Sequence, residues 1–314
     1  MPNQDLLASV ETRIRAQAGR HHPELQSALE HLLSSGGKRI RPAVTLLTGG
    51  MLGADPDQLV TLGAAIELLH TATLVHDDFI DGSLMRRGIA TLNAQWSPAA
   101  TILTGDFIFA RAAKLAAETN SVEVMHLFAE TLATIVNGEI TQMFTRNGQV
   151  SRVEYEQRIY AKTASMFVLA SGAAAILSPV DDHLIDQAHT FGYEIGMAFQ
   201  IVDDILDFTG EQATIGKPVA SDLRQGLLTL PAIIYLEMCP DDPDIPLILN
   251  GNRRDSEAIE RLVTRIRHCG AIQRSMEEAQ LYVQRALDIL ACMPDNPDRR
   301  ALQELAEYIV QRSL

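Results

Sequence analysis

Apolar residues recur at intervals of three and four along nearly the whole of this 314-residue sequence, which is the period of an α-helix. No stretch alternates apolar and polar residues for long enough to predict a sheet. Asn-Gly pairs occur three times, but none lies between two alternating runs, so no β-hairpin is predicted. The pattern therefore predicts an all-α fold.

Local signals mark where the helices begin and end. Asp55 and Ser97 each precede a proline, which is typical of a capped helix start. Ser151 and Glu154 have the spacing of a capping box, and Gly210 fits a helix stop. The predicted helices cover 4–18, 23–34, 38–51, 56–81, 98–118, 121–145, 151–177 with a break, 182–208, 229–238, 255–268, 271–292 and 298–312.

Several of these helices exceed 20 residues, and no linker rich in Gly, Ser or Pro separates them. Long helices with mixed faces favour one large bundle with a shared interior over several small domains. We therefore expect a single domain over 1–314, built as a helical bundle around a central cavity. The segment 240–252 is predicted to be a loop.

The composition excludes several classes of partner. With 26 Lys and Arg against 40 Asp and Glu, the net charge is −14, which disfavours nucleic acid and anionic lipid. The three cysteines are far apart, as expected of reduced thiols in the cytoplasm. No secretory signal is evident, and the apolar stretch 164–177 is short for a membrane span, so we expect a cytoplasmic protein without a stable membrane anchor.

An Asp-Asp-x-x-Asp motif occurs twice, at 77–81 and at 203–207, each time at the end of a predicted helix. Residues four apart lie on one face of a helix, separated by a rise of about 6 Å, so the first and last aspartates of each motif point the same way. Carboxylates gathered at the negative end of a helix dipole are unfavourable without a cation. Oxygen ligands of this kind suit Mg²⁺, which commonly bridges one or two carboxylates to substrate phosphates.

A single copy of this motif is often no more than a solvated acidic helix end. Here both copies lie in apolar sequence, LLHTATLVHDDFID and MAFQIVDDILDF, which favours carboxylates that face a cavity. Basic residues occur near them in four short segments, each of which alone is more often a surface charge. These segments are GGKRIRP (36–42), Arg86-Arg87, Lys162-Thr163 and Gly216-Lys217. Their order around the aspartates, and the helix start in the first of them, favour an anion site.

At this point the sequence resembles the trans-isoprenyl diphosphate (polyprenyl) synthase family over about residues 30–235. The resemblance rests on six motifs in the family's order and approximate spacing. They are GGKRIRP (36–42), HTATLVHDDFIDGSLMRRG (70–88), GDFIFARA (105–112), KTA (162–164), FQIVDDILD (199–207) and GKPVASDLRQGLLTLP (216–231).

The resemblance implies that two diphosphates bind side by side. Isopentenyl diphosphate would bind Lys38, Arg41 and Arg87, with His70 nearby, although a merely packed helix histidine would have the same spacing from Asp77. The residues implied for the allylic diphosphate are Arg86, Lys162, Thr163, Gln200 and Lys217. Among them, we expect Arg86, Lys162 and Gln200 to take part in catalysis.

The resemblance also implies three Mg²⁺ ions between the aspartates and the phosphates. Asp77 and Asp81 would hold two of them and Asp203 the third. The other three aspartates, Asp78, Asp204 and Asp207, would act through water or by orienting the ligands. The metals and cations would stabilise the departing diphosphate while an allylic carbocation forms, after which isopentenyl diphosphate attacks and a proton is lost to the released diphosphate. The family usually forms homodimers, and we expect one here.

Two positions depart from the family pattern. Leu227 stands where a lysine is often found, which removes one cation from the allylic diphosphate, and Ala220 stands where glycine is common.

Family members that stop at farnesyl commonly place an aromatic residue four or five positions before the first aspartate, where this chain has Thr73 and Ala72. We therefore expect a product of geranylgeranyl length or longer. The expected deeper floor of the pocket is Met143, Phe144, Met166 and Phe167.

Two other functions stay open. A class I terpene cyclase shares the fold and the first acidic motif, but it needs neither the second Asp-Asp-x-x-Asp nor GGKRIRP. A non-catalytic subunit of a heteromeric prenyl synthase tends to lose an acidic motif, and both are complete here. The sequence therefore favours a trans-prenyltransferase that joins isopentenyl diphosphate to an allylic prenyl diphosphate.

Overall fold

A computed structural model of the chain describes residues 4–19, 22–34, 37–86, 88–144, 151–210, 219–246 and 256–312. Within these ranges the regular structure is helical apart from one ribbon of two short strands. The predicted all-α fold is therefore confirmed.

The elements are labelled here in chain order. The helices are α1 (Gln4–Arg15), α2 (Pro23–Ser34), α3 (Ile40–Leu52), α4 (Pro56–Ile80), α5 (Leu92–Gln95), α6 (Pro98–Glu118), α7 (Val122–Phe144), α8 (Arg152–Ile159), α9 (Ser165–Ile176), α10 (Asp182–Thr209), α11 (Ser221–Arg224), α12 (Leu230–Met238), α13 (Ser256–His268), α14 (Ala271–Ala291) and α15 (Pro297–Gln311). A 3-10 turn (Ala16–Ala18) follows α1, and a π-helical segment (Tyr160–Ala164) joins α8 to α9. Strands β1 (Met85–Arg86) and β2 (Ile89–Ala90) pair antiparallel, with Met85 opposite Ala90.

Most helices begin and end within one or two residues of their predicted positions, because the capping signals were read correctly. The Asp55 side chain accepts hydrogen bonds from the backbone N–H groups of Asp57 and Gln58, which starts α4. Ser151 and Glu154 form both hydrogen bonds of a capping box at the start of α8. The sequence did not predict the ribbon, α5 or α11, because two to four residues are too few to show a helical or strand period. The predicted loop at 240–252 forms turns as far as residue 244, residues 245 and 246 are helical, and the rest of it lies outside the described residues.

The chain divides into two compact units. The first comprises Met1–Thr131, Met166–Gly192 and Ala291–Gln303, and the second comprises Leu132–Ser165, Tyr193–Leu290 and Glu304–Leu314. That 1–314 forms one domain stays a prediction.

Helix α4 is the centre of the first unit. It packs against α1, α3 and α6, and every residue from Leu59 to Leu69 is buried. Helix α4 and the segment Arg152–Ile176 are long and apolar enough to cross a membrane, but 78% of the apolar window in each is buried inside the protein. Most of each apolar window therefore packs against the rest of the protein.

In the second unit, an ionic network holds the turn after α12. The Tyr235 hydroxyl donates to Asp242, which also accepts from Arg265 Nη1 at 2.7 Å. Asp244 accepts from Arg261 and Arg265 on α13 at 2.7–3.0 Å. These contacts fasten the turn to α13, with which α12 also packs.

Small residues bring α9 and α10 very close in the first unit. A Cβ added to Gly192 would lie 2.5 Å from the carbonyl oxygen and 2.8 Å from the carbonyl carbon of Phe167, and it would also overlap the Ser171 hydroxyl. Because the obstacle is backbone, rotating a side chain cannot relieve the clash.

Replacing Gly192 with alanine should therefore lower the free energy of unfolding by about 1–3 kcal/mol, measured by urea denaturation. Gly50→Ala is the matched control, because the added methyl would meet only the end of the Asp298 side chain. The control should leave stability unchanged or raise it by up to about 1 kcal/mol, since alanine favours helix over glycine. Equal stabilities for Gly192→Ala and the wild type would contradict this description of the crossing.

Candidate active site

The first acidic motif lies at the carboxyl end of α4. The Asp81 N–H donates to the Asp77 carbonyl at 2.8 Å, so the helical geometry continues through the motif and the two side chains share one face. Asp77 is half-buried and Asp81 is exposed. Both side chains therefore reach solvent at least in part, and their role as metal ligands stays a prediction.

The middle aspartate of this motif has a different role. Asp78 is buried, and both of its oxygens accept from Arg86 Nε at 2.9 Å, while Arg86 Nη2 lies 2.9 Å from Asp78 Oδ1. Strand β1 carries this arginine, and Thr91 fastens the ribbon by donating to the backbone carbonyls of Ser83 and Leu84. The ribbon therefore delivers a cation that holds Asp78 and leaves it unsuited to bind a metal.

A glycine on α6 allows close packing beside the first motif. A Cβ at Gly105 would overlap the ring of His76, the residue before Asp77. That ring has its Nε2 3.2 Å from the Ile102 carbonyl and packs at 5.3 Å on Phe109. Gly105 begins the GDFIFARA segment, so this motif acts in part through packing.

The cations predicted for isopentenyl diphosphate belong to the first unit. Lys38 is exposed ahead of α3, and the Arg41 guanidinium lies 5.1 Å from the centre of the Phe167 ring. Between them in sequence, Arg39 pairs through Nη1 with the buried Glu67 carboxylate at 2.6 Å. His70 is half-buried on α4, two turns before Asp77. Arg87 lies outside the described residues.

Two of the residues predicted for the allylic diphosphate, Lys162 and Thr163, lie in the π-helical segment. The Ser165 N–H donates to the carbonyl of Tyr160, five residues earlier, which is the π-helical hydrogen bond. Lys162 is half-buried, and its Nζ lies 2.8 Å from Glu139 Oε1 on α7, whereas Thr163 is buried. The predicted break in this helix therefore occurs at the two residues assigned to the site.

Three hydrogen bonds join this segment to α10. The Thr163 hydroxyl donates to Gln200 Oε1 at 2.6 Å, and Gln200 Nε2 donates to Asp204 Oδ1 at 2.8 Å. The Tyr155 hydroxyl donates to Asp204 Oδ2 at 2.7 Å. Burial and the charge of Asp222 raise the pKa of Asp204 to about 8, although the bonds from Gln200 and Tyr155 oppose this shift by stabilising the carboxylate.

The outer aspartates of the second motif differ from each other. The Asp203 side chain is 41% exposed, and its Oδ1 lies 2.9 Å from Arg312 Nη2. The Asp207 carboxylate accepts from the backbone N–H groups of Ser221 and Asp222 at 3.1 and 3.2 Å, which caps α11. Asp203 is therefore partly exposed and paired with an arginine, whereas Asp207 is held by backbone donors.

The backbone conformation at Ala220 explains why the family commonly has glycine at this position. Ala220 has φ 55°, in the left-handed region, and its N–H donates to the Asp207 carbonyl at 2.8 Å. A left-handed residue favours glycine, which is what the family commonly has there. Leu227 is half-buried in the turn after α11, and Lys217 lies outside the described residues.

Comparison with known proteins identifies the family. Residues 22–266 match the model for the polyprenyl synthetase family. The chain belongs to that family.

Individual relatives agree with this assignment. The heptaprenyl diphosphate synthase component 2 of Geobacillus stearothermophilus is 36% identical over 310 residues, covering 98% of this chain and 96% of the relative. The heptaprenyl diphosphate synthase structure from Staphylococcus aureus superposes with a TM-score of 0.94 at 33% identity, covering 100% of this chain and 99% of that one. A Caulobacter crescentus polyprenyl synthase, solved with calcium and isoprenyl diphosphate, gives a TM-score of 0.92 at 34% identity, covering 99% of this chain and 96% of that one.

The chain is therefore a prenyltransferase, and members of its family are Mg²⁺-dependent. Asp77, Asp81 and Asp203 are suitable donors, because they are hard oxygen ligands at accessible positions. Among the described residues, no group of three or more His, Cys, Asp or Glu side chains is placed to hold a metal ion by itself.

Sequence reasoning missed several residues that hold the predicted ones. They are Tyr155, Glu139 and Arg312, which contact Asp204, Lys162 and Asp203 respectively. Each lies on another helix or far along the chain from its partner, so no local spacing could reveal the contact. A buried tyrosine one turn into a capped helix carries no distinguishing pattern.

The contrast between Asp78 and Asp81 can be tested by stability. Asp78→Asn should lower the free energy of unfolding by about 2 kcal/mol, because it weakens charged hydrogen bonds in a buried place. Asp81→Asn should change it by less than about 0.5 kcal/mol, since the side chain is exposed. Both variants should lose activity. Urea denaturation and steady-state rates separate the two effects, and equal stabilities would contradict the structural role of Asp78.

Proposed function

We propose that this prenyltransferase is a cytoplasmic enzyme that joins isopentenyl diphosphate to an allylic prenyl diphosphate and gives an all-trans product of geranylgeranyl length or longer. In this reaction the allylic C–O bond breaks and releases diphosphate, a new C–C bond forms between the two prenyl units, and the proton that is lost goes to the released diphosphate. Heptaprenyl diphosphate synthases among the relatives and structural neighbours support a long product.

One observation carries the proposal, and it recurs in both acidic motifs. In each motif the middle aspartate is buried and held by protein donors, while the first aspartate keeps part of its side chain exposed, although Asp203 also pairs with Arg312. A merely solvated acidic helix end has no reason to bury one carboxylate in each copy. The arrangement supports a pair of carboxylates that are presented to a bound ligand.

The accessible aspartates Asp77, Asp81 and Asp203 would hold Mg²⁺, with three ions when both diphosphates are bound. Bound magnesium supplies Lewis-acid neutralisation of the diphosphate charge. The calcium and isoprenyl diphosphate in the Caulobacter structure support a divalent ion beside a prenyl diphosphate in this fold.

The protein's own cations would bind and orient the two diphosphates. Lys38, Arg41 and Arg87, with His70, would hold isopentenyl diphosphate. The residues proposed for the allylic diphosphate are Arg86, Lys162, Thr163, Gln200 and Lys217. Arg86 and Lys162 carry the counterions Asp78 and Glu139, which fix their positions before substrate binds.

Product length is proposed to depend on the helix face below Asp77. Thr73 lies one turn before Asp77 on the same face, at a rise of about 6 Å, and its hydroxyl donates to the His70 carbonyl. Ala72 is also small and is fully buried. Of the residues expected to form a deeper floor, Met166 and Phe167 are buried. Met143 and Phe144 are exposed in the single chain, and their part in the floor stays a prediction.

Thr73→Phe should shorten the product, because an aromatic ring would fill the space that a longer prenyl tail needs. The measurement is the chain length of dephosphorylated products from the purified enzyme. Thr71→Phe is the matched control, since this half-buried threonine lies on another face of α4 and should leave the product length unchanged. An active Thr73→Phe enzyme with wild-type products would refute this account of the pocket.

We also propose a homodimer. Exposed apolar side chains support it, because patches of this kind on a soluble protein mark interaction sites. They include Ile102 and Leu103 on α6, and Val136, Ile140, Met143 and Phe144 on α7. Sedimentation equilibrium at twice the chain mass is the expected result.

The experiment that tests the function is incubation with Mg²⁺, labelled isopentenyl diphosphate and, in parallel, dimethylallyl, geranyl or farnesyl diphosphate. Elongated prenyl alcohols after dephosphorylation, formed only with Mg²⁺, are expected. Conversion of a prenyl diphosphate to a hydrocarbon without elongation would favour a terpene cyclase instead. Absence of turnover would favour a subunit that needs a partner, as the name "component 2" of the Geobacillus relative suggests for that protein.

A further inference from the structure

The second acidic motif is connected to a tyrosine that the proposed mechanism does not use. Tyr155 on α8 is 1% exposed, and its hydroxyl donates to Asp204, which is 3% exposed. The other Asp204 oxygen accepts from Gln200, whose own oxygen accepts from Thr163. The four side chains form one continuous chain of hydrogen bonds.

This chain of hydrogen bonds fixes the orientation of the Gln200 amide. The amide nitrogen donates to Asp204 Oδ1 and the amide oxygen accepts from the Thr163 hydroxyl, so both ends of the amide are held. One N–H of the amide is left over, and its direction follows from the other two bonds. Gln200 and Thr163 are both proposed contacts of the allylic diphosphate.

The tyrosine is the rigid end of this chain. Its ring lies under the Arg158 guanidinium at 5.5 Å, and Arg158 in turn donates to the Leu228 carbonyl. The capping box formed by Ser151 and Glu154 anchors the start of α8. Without the hydroxyl, one oxygen of Asp204 would lose its partner in a buried place and the carboxylate could turn away from Gln200.

The neighbours in sequence of these buried groups are the charged groups of the site. Lys162 precedes Thr163, and Asp203 precedes Asp204. Tyr155 lies before the π-helical segment and Thr163 within it. Both donate hydrogen bonds to side chains of α10, at Asp204 and Gln200, which are one helical turn apart. Fixing the buried members of the chain therefore fixes the directions of Lys162 and Asp203.

We propose that Tyr155 is a positioning residue for prenyl transfer, which acts through Asp204 to hold Gln200 and Thr163 in the orientation that the allylic diphosphate requires. The inference rests on the proposed function. It adds a residue that touches no substrate and whose effect on the rate passes through Gln200.

The test is Tyr155→Phe, which removes one hydroxyl and keeps the ring. Tyr235→Phe is the matched control, because the Tyr235 side chain is also buried in the same unit and its hydroxyl donates to a carboxylate of the ionic network after α12, in a part-buried hydrogen bond. Tyr155→Phe should lower the melting temperature by about 2–4 °C, as expected for one buried hydrogen bond, and Tyr235→Phe should lower it by no more than that. Only Tyr155→Phe should lower kcat, by about tenfold, with the KM for isopentenyl diphosphate unchanged.

A double mutant shows whether the effect passes through Gln200. In a Gln200→Ala background, Tyr155→Phe should lower kcat by less than about twofold further, because the group that it positions is gone. Independent, multiplicative losses would overturn the proposal. So would a Tyr155→Phe enzyme whose kcat falls no more than that of Tyr235→Phe. The wild type is assayed in parallel, and its failure to elongate any primer would refute the proposed function rather than the role of Tyr155.

Discussion

A carboxylate that leaves water needs partners for both oxygens, and this requirement organises both acidic motifs of the chain. Asp78 meets it with one arginine from a two-residue strand, and Asp204 meets it with an amide one turn earlier on its own helix and a phenol from α8. In each case the buried carboxylate anchors a residue that the family resemblance assigns to the allylic diphosphate, Arg86 in the first motif and Gln200 in the second. Because these aspartates are buried and already hydrogen-bonded, they are poor metal ligands, and for the same reason they hold their partner side chains in one position.

The backbone near these buried carboxylates departs from regular helix at two places, and glycine allows close helix packing at two others. The π-helical segment at 160–164 contains Lys162 and Thr163, and the left-handed Ala220 lets the chain return to Asp207 after the second motif. Gly105 lets α6 approach the ring of His76 beside the first motif, and Gly192 does the same for α10 against α9. Each departure costs local stability of order 1 kcal/mol, which the packing around it must offset.

The helices, their caps and the face shared by Asp77 and Asp81 followed from the sequence, because periodicity and capping are local. The break near Lys162 was also predictable, but its π-helical form was not. The partners of the site residues could not be predicted, since Tyr155 and Arg312 reach Asp204 and Asp203 from 49 and 109 positions away in the sequence. Spacing along a helix shows which residues share a face, and says nothing of which side chain from another element will contact them.

The division of labour within each acidic motif is tested most directly by a crystal structure with Mn²⁺ and an unreactive thio analogue of an allylic diphosphate, using anomalous scattering to locate the metal. The account predicts Mn²⁺ on the carboxylates of Asp77, Asp81 and Asp203, with Asp78 still paired with Arg86 and Asp204 still bonded to Tyr155 and Gln200. A metal ion coordinated directly by Asp78 or Asp204, with those hydrogen bonds broken, would contradict it.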